Sequence, residues 1–154
     1  MPTIFEDELR RDISSGRFAP VYLLYGDDAY LKNHYKDTLA KKASDGDEFF
    51  NLQKFEGDDN LQEVFDAVNQ FPMMADRKSV VLSDFDFEHC SKEIFDRLLD
   101  IIANANDTCV FILAFVNIDF DAKKGTHTYG IIIKVVNNSA SCSTELVTKT
   151  VTVK

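Results

Sequence analysis

The sequence lacks any apolar run that approaches the roughly 18 to 20 residues needed to span a bilayer. Its opening residues, 1–13, contain neither the basic segment nor the apolar segment of a secretory signal peptide. Cysteine is also scarce, because only three are present, widely spaced and without a CxxC pair. These absences disfavour a transmembrane protein and a disulfide framework, and they predict a reducing, cytoplasmic setting.

Positive charge is scarce too. The chain has 17 lysines and arginines against 26 aspartates and glutamates, which gives a formal net charge of −9. Proteins that bind duplex DNA usually present a basic face. A large phosphate-binding surface on this chain acting alone is therefore disfavoured. The charge still allows a role within a larger DNA-handling assembly, where other subunits could supply the positive charge.

What the chain does contain is a globular pattern of alternating strands and helices. Its 154 residues are 45% hydrophobic and 28% charged, which suits one domain with a substantial core. Strands are predicted at 20–26, 49–57, 78–83 and 108–116, with a fifth possible within 142–153. Helices are predicted at 3–13, 27–44, 58–71 and 91–105. This alternation predicts an α/β fold, a three-layer parallel sheet flanked by helices.

The junction between the first predicted strand and the next helix is where such a fold would hold a phosphate. A phosphate loop requires the pattern GxxxxGK[ST], but the junction reads YGDDAYLKN. Asp27 and Asp28 occupy the positive end of the helix dipole and would repel a triphosphate. The sequence therefore predicts a capped helix here and no nucleotide cofactor.

Acidic residues follow the strand predicted at 78–83. Asp84, Asp86 and Glu88 could hold Mg²⁺ at the carboxyl edge of the sheet, or they could be ordinary loop side chains. Without a phosphate loop opposite them, the second interpretation is favoured. The histidines and cysteines have no zinc-ligand spacing and form no recognisable nucleophile–base arrangement. No catalytic residue and no metal ligand is therefore predicted.

The segment FPMMADRK, residues 71–78, stands out by its position. A helix usually ends before a proline, so Pro72 places Met73 and Met74 in a turn. Methionines can fill gaps beneath a sheet. Apolar side chains at a turn followed by charged residues are also typical of a binding contact, and Phe71 could lie beside them.

Three segments together resemble the amino-terminal domain of the bacterial DNA polymerase III delta subunit, a component of the clamp loader. They are GRFAPVYLLYGDDAYLKN, FNLQKFEGDDNLQEVFDAVNQFPMMADRKSVVLSDFD and FDAKKGTH. The resemblance spans roughly 13–124, keeps the order and spacing of the motifs, and weakens past Gly125. It implies an AAA+/RecA-like P-loop NTPase fold without a functional phosphate loop.

The resemblance also implies a function and its residues. Members of this family bind the sliding clamp, the beta subunit, and open one of its interfaces without hydrolysing ATP themselves. An apolar pair at a helix–loop tip enters a pocket on the clamp, and those positions correspond to Met73 and Met74, with Phe71 as a neighbouring contact. The family often has leucine and then phenylalanine at this tip.

Residues 1–154 are accordingly expected to form one amino-terminal domain of a longer protein, without the lid and collar domains of the family. The missing carboxy-terminal collar would contact the other clamp-loader subunits, DNA would be contacted through the complex, and no membrane is expected. No catalysis by this chain is expected beyond membership of a polymerase complex. The alternative hypothesis is a nucleotide- or Mg²⁺-dependent phosphotransfer or receiver-like switch domain that uses Asp84 and Asp86.

Overall fold

A computed structural model describes residues 3–4, 6–57, 61–86, 89–117 and 149–153. Six strands form one parallel sheet with the order β1-β6-β2-β5-β4-β3. The elements follow one another as β1 (Thr3–Ile4), α1 (Glu6–Ser15), β2 (Val21–Gly26), α2 (Ala29–Ala43), α3 (Glu48–Asn51), β3 (Leu52–Glu56), α4 (Leu61–Asn69), β4 (Lys78–Ser83), α5 (Lys92–Ala103), β5 (Cys109–Ala114) and β6 (Lys149–Val153).

The core consists of two apolar layers, one on each face of the sheet. Successive side chains of a strand point to opposite faces, so β5 contributes to both layers. Phe111 and Leu113 pack in the layer that contains α4 and α5. Val110 and Ile112 pack in the layer that contains α1 and α2. The predicted three-layer arrangement is therefore confirmed, and β5 lies inside the sheet between β2 and β4.

Local sequence signals fix several element ends. Asp28 caps α2 by accepting a hydrogen bond from the Leu31 amide at 3.0 Å. Ser91 caps α5 in the same way through the Ile94 amide at 3.3 Å. Gly16 follows α1 with a φ of +68°, a conformation that glycine adopts without steric cost.

Several predicted boundaries differ from the observed ones by one or two residues, and, among the described residues, the starts of two elements are wrong by three. The first predicted helix begins only at Glu6, because Thr3–Ile4 form the edge strand β1, which pairs with β6. The strand predicted at 49–57 begins only at Leu52, because pairing with β4 begins there, opposite Ser79. The three residues before Leu52 belong instead to α3, which Asp47 caps.

The tail is described only in part. Strand β6 lies within the predicted strand at 142–153 and pairs with both β1 and β2. The stretch after Gly125, up to residue 148, is outside the described residues. Among the residues that are described, no helix has both the length and the apolar character to cross a membrane.

Two adjacent leucines of α5 provide a test of the core. Leu98 is fully buried between the helix and the sheet, whereas Leu99 is half-buried. The Leu98→Ala variant should lower the free energy of unfolding by about 2–5 kcal/mol, since it leaves a cavity. Leu99→Ala should cost only about 1 kcal/mol. Urea denaturation of both variants measures the difference, and equal losses would contradict this packing.

Candidate functional site

An α/β fold usually binds phosphate at the carboxyl edge of its sheet. In this protein, polar side chains at that edge bond to the end of β5. Lys32 lies six residues after Gly26, the spacing that separates the first glycine and the lysine of a phosphate loop. Its side chain is buried, and its Nζ donates a long hydrogen bond of 3.4 Å to the carbonyl oxygen of Val116. The lysine therefore contacts the end of β5.

Asp84 joins the ends of β4 and β5. Its Oδ1 accepts hydrogen bonds from the amides of Val116 at 2.7 Å and Asn117 at 2.9 Å. Its Oδ2 accepts from Nδ2 of Asn117 at 2.7 Å, and the residue is buried. Both carboxylate oxygens are thus engaged within the protein, which is unlike a carboxylate open to Mg²⁺.

The next acidic residue along the chain, Asp86, is paired with a histidine. Asp86 accepts hydrogen bonds from His89, through its backbone amide at 3.2 Å and its ring Nδ1 at 2.8 Å. Glu88 is outside the described residues. Within the part of the chain that the structure describes, no three His, Cys, Asp or Glu side chains are grouped closely enough to hold a metal ion.

Two ionisable groups are buried side by side at the start of β4 and β5. Lys78 and Cys109 are paired across the two strands, and both are buried. Burial raises the pKa of the Cys109 thiol to about 12 and lowers the pKa of Lys78. The thiol therefore stays protonated near neutral pH and is a poor nucleophile.

The opposite, amino edge of the sheet carries the apolar residues that the sequence singled out. The connection 70–77 runs from the end of α4 to the start of β4. Along it, the side chains of Phe71, Met73 and Met74 are 75%, 54% and 101% exposed. We call these three residues the apolar tip. None of them fills a gap beneath the sheet.

Asn51 fixes the backbone of the apolar tip. The side chain is buried at the end of α3, and its Oδ1 accepts a hydrogen bond from the Met73 amide at 2.7 Å. Its Nδ2 donates to the Met73 carbonyl oxygen at 3.0 Å. One side chain thus satisfies both polar groups of Met73, as a neighbouring strand would, and the methionine side chain is left facing outwards.

A second carboxylate holds the other end of the connection. Asp45 Oδ2 accepts hydrogen bonds from the amides of Asp76 at 3.2 Å and Arg77 at 3.3 Å. Arg77 in turn donates through Nη1 to the Gly16 carbonyl oxygen at 2.7 Å, and its guanidinium lies 5.2 Å from the centre of the Phe18 ring. The connection is therefore attached to α3, to the end of α2 and to the loop after α1.

Met74 itself has a φ of 53°, in the left-handed region. A residue other than glycine adopts this conformation at a cost of about 1–3 kcal/mol, and such residues cluster at functional sites. The strained residue is also the most exposed member of the apolar tip. A costly backbone conformation therefore presents an apolar side chain to solvent.

Sequence reasoning placed the three tip residues but missed the residues that hold them. Asn51 fell within a predicted strand, and Asp45 is one of many acidic residues in this chain. The run SDGD after α2, residues 44–47, is typical of a turn and was the only available signal for Asp45. No sequence signal pairs Asn51 with Met73, which is 22 positions away.

Both the sequence and the fold of this chain are similar to those of known proteins. The family model of the DNA polymerase III delta subunit matches residues 22–144. The DNA clamp loader delta protein of Bacillus subtilis has a similar structure, with a TM-score of 0.68 and 18% identity over 95% of this chain. A gamma-subunit-related protein of DNA polymerase III from Thermotoga maritima has a TM-score of 0.51 and 17% identity over 70% of this chain.

This chain covers less than half of each of the two similar structures. The chain spans 42% of the Bacillus protein and 38% of the Thermotoga protein. A search of curated proteins finds no match. The two structural similarities support the parallel, helix-flanked sheet as an AAA+-like fold.

The hydrogen bonds of Asp84 lead to a stability prediction. Asp84→Ala leaves two amides at the end of β5 without their acceptor and should lower the free energy of unfolding by about 1–3 kcal/mol. Asp96→Ala, an exposed position on α5, serves as the matched control and should change it by less than about 0.5 kcal/mol. Excess Mg²⁺ should not shift the unfolding midpoint of the wild type, and a shift that Asp84→Ala abolishes would contradict this role.

Asn51 gives a second prediction at the other edge of the sheet. Asn51→Ala removes both hydrogen bonds to Met73 and should cost about 1–3 kcal/mol of stability. Amide hydrogen exchange at Met73 should become faster, because the amide loses its acceptor. Asn69→Ala, at an exposed position whose side chain bonds only within α4, is the control. Unchanged protection of the Met73 amide in Asn51→Ala would show that this contact does not hold the tip.

Proposed function

Because the chain belongs to the DNA polymerase III delta subunit family, we propose that it is the clamp-binding domain of a clamp-loader subunit. In this role it binds the ring-shaped sliding clamp through the apolar tip and favours an open form of the ring. The observation that carries the proposal is the exposure of Phe71, Met73 and Met74 on a connection held at both ends.

Preorganisation makes the tip suited to binding. Ordering a flexible loop at an interface costs free energy that weakens affinity. Here Asn51 and Asp45 have already fixed the backbone, so mainly the side chains of the methionines lose freedom on binding. Burying the fully exposed Met74 in an apolar pocket contributes roughly 1.5–3 kcal/mol before those losses, and Met73, which is 54% exposed, contributes less.

Two methionines stand where the family often has leucine and phenylalanine. Methionine loses more rotamer entropy on burial than leucine and offers no aromatic ring for stacking. It also adapts its shape to irregular pockets. We therefore expect the pocket that receives Met73 and Met74 to be apolar and irregular in shape, and not shaped to stack on an aromatic ring.

Clamp opening by this domain requires no nucleotide chemistry of its own. The lysine at the phosphate-loop position is buried against Val116, and Asp84 is engaged by the end of β5. Opening instead follows from differential affinity: a tip that binds the open ring more tightly than the closed ring shifts the population towards the open form. Both oxygens of Asp84 accept hydrogen bonds within the protein, and Asp86 accepts hydrogen bonds from His89. These contacts disfavour the alternative phosphotransfer role for the two residues.

The wider setting follows from the same proposal. The partners are the sliding clamp and, through parts of the protein beyond this domain, the other clamp-loader subunits. DNA is contacted through the assembled complex, which is consistent with the net charge of −9 on this chain. The complex acts at the replication fork, in the cytoplasm.

Truncation of the tip tests the proposal. In the double variant Met73→Ala/Met74→Ala, affinity for the sliding clamp of the same organism should fall by at least about 2 kcal/mol, because the two anchors are removed. Calorimetric titration of the purified clamp measures the change. The unfolding midpoint should stay close to that of the wild type, since both side chains are exposed.

Tyr30→Ala is the matched control for this titration. Tyr30 is a large exposed side chain at 77%, but it lies at the start of α2, on the carboxyl edge of the sheet. Its truncation should leave clamp affinity unchanged. No measurable binding by the wild-type chain, or equal binding by the double methionine variant, would overturn the proposed function.

A further inference from the structure

A second exposed apolar pair lies next to the tip. Phe49 and Phe50, in α3, are 85% and 56% exposed. Their rings pack edge to face, with centroids 4.8 Å apart and planes at 88°. Two adjacent aromatic rings held against each other and left in water carry an unfavourable hydration free energy that burial in a partner would relieve.

The position of the pair connects it to the tip. Asn51 directly follows Phe50, and its side chain bonds both polar backbone groups of Met73. The end of α3 and the tip are therefore neighbours on the same edge of the sheet. Among the described residues, the large hydrophobic side chains that are exposed are Tyr30, Phe49, Phe50, Phe71, Met73 and Met74. All of them except Tyr30 belong to these two segments, so the exposed apolar surface is concentrated at one place.

The apolar tip is too small to form an interface alone. A specific protein interface buries about 800 Å² on each partner. A large aromatic side chain buries roughly 150–250 Å², so the three tip residues alone cannot supply that area. Phe49 and Phe50 are the nearest exposed apolar groups that extend it. Together the five side chains form one apolar cluster, and in other interfaces a handful of clustered side chains carries most of the binding energy.

We propose that Phe49 and Phe50 form a second contact with the same sliding clamp, on an apolar ledge beside the pocket that receives the methionines. This inference rests on the proposed function. The Asn51–Met73 hydrogen bonds hold the two contacts at a fixed separation, so a partner that takes the tip meets the aromatic pair in a defined position.

The polar groups around the phenylalanine pair indicate what the facing clamp surface must match. Glu48 precedes the pair and forms an ion pair with Lys41 at 2.9 Å, both partly exposed. Asp47 caps α3 by accepting a hydrogen bond from the Phe50 amide at 3.4 Å. An apolar centre bordered by charged groups is the usual arrangement of a protein–protein contact. The clamp surface is therefore expected to be apolar opposite the rings and polar at its border.

The double variant Phe49→Ala/Phe50→Ala tests the contact. Its affinity for the purified clamp should fall by about tenfold in calorimetric titration. Protection of the Met73 amide from hydrogen exchange should stay as in the wild type, because Asn51 is unchanged. A photo-crosslinker placed at position 49 should also capture the purified clamp, and unlabelled chain should compete with it. Tyr30→Ala again serves as the exposed aromatic control.

The possible outcomes separate this inference from the proposed function. If the methionine variant loses affinity while the phenylalanine variant binds like the wild type, the second contact is wrong and the proposed function stands. If the wild-type chain does not bind the clamp, both fail. If the phenylalanine variant loses self-association in sedimentation measurements and not clamp affinity, the pair contacts a second copy of this chain, and the inference is overturned.

Discussion

Strand β5 is the constraint on which the rest of the structure depends. All six of its residues, Cys109–Ala114, are buried, so the strand must have a neighbour on each side and an apolar layer on each face. It pairs in parallel with β2 and with β4, and its side chains alternate between the two core layers. The register of β4 against β5 then decides which residues leave the sheet at each edge.

The two edges of the sheet have opposite chemistry as a result. At the carboxyl edge, Asp84 follows β4 and Lys32 lies in the first turn of α2, and both contact the end of β5. Polar groups there are used to hold strands together. At the amino edge, the backbone of 70–77 is held by Asn51 and Asp45, while the apolar side chains point away from the core. The first edge stabilises the domain, and the second presents a surface.

The sequence predicted the layers of the fold well because periodicity reports burial. Strand β4 was predicted with its observed bounds, and the three-layer sheet is confirmed. The α3 region was predicted wrongly, because FFNLQKFEG is apolar and rich in phenylalanine, as a strand would be. Pairing with β4 starts only at Leu52, and this register is a property of the sheet that no local pattern contains.

The site was predictable in one part and not in another. Pro72 marked the turn, so Phe71, Met73 and Met74 could be placed from sequence. The residues that hold the turn act over long separations, and no local pattern links Asn51 to Met73. Their role as clamp contacts stays a prediction, because exposure states that a surface is available and not what covers it.

Strand β4 connects the two edges of the sheet, and side-chain hydrogen bonds fix the backbone near each of its ends. It begins directly after the tip connection and ends next to Asp84, a length of six residues or about 20 Å. A domain that uses binding energy to change the shape of its partner must itself deform less than the partner does. The hydrogen bonds of Asp84 at one end of the strand, and of Asn51 and Asp45 near the other, oppose such deformation. In the proposed role, the polar groups of the carboxyl edge thus contribute to function by making the domain stiffer.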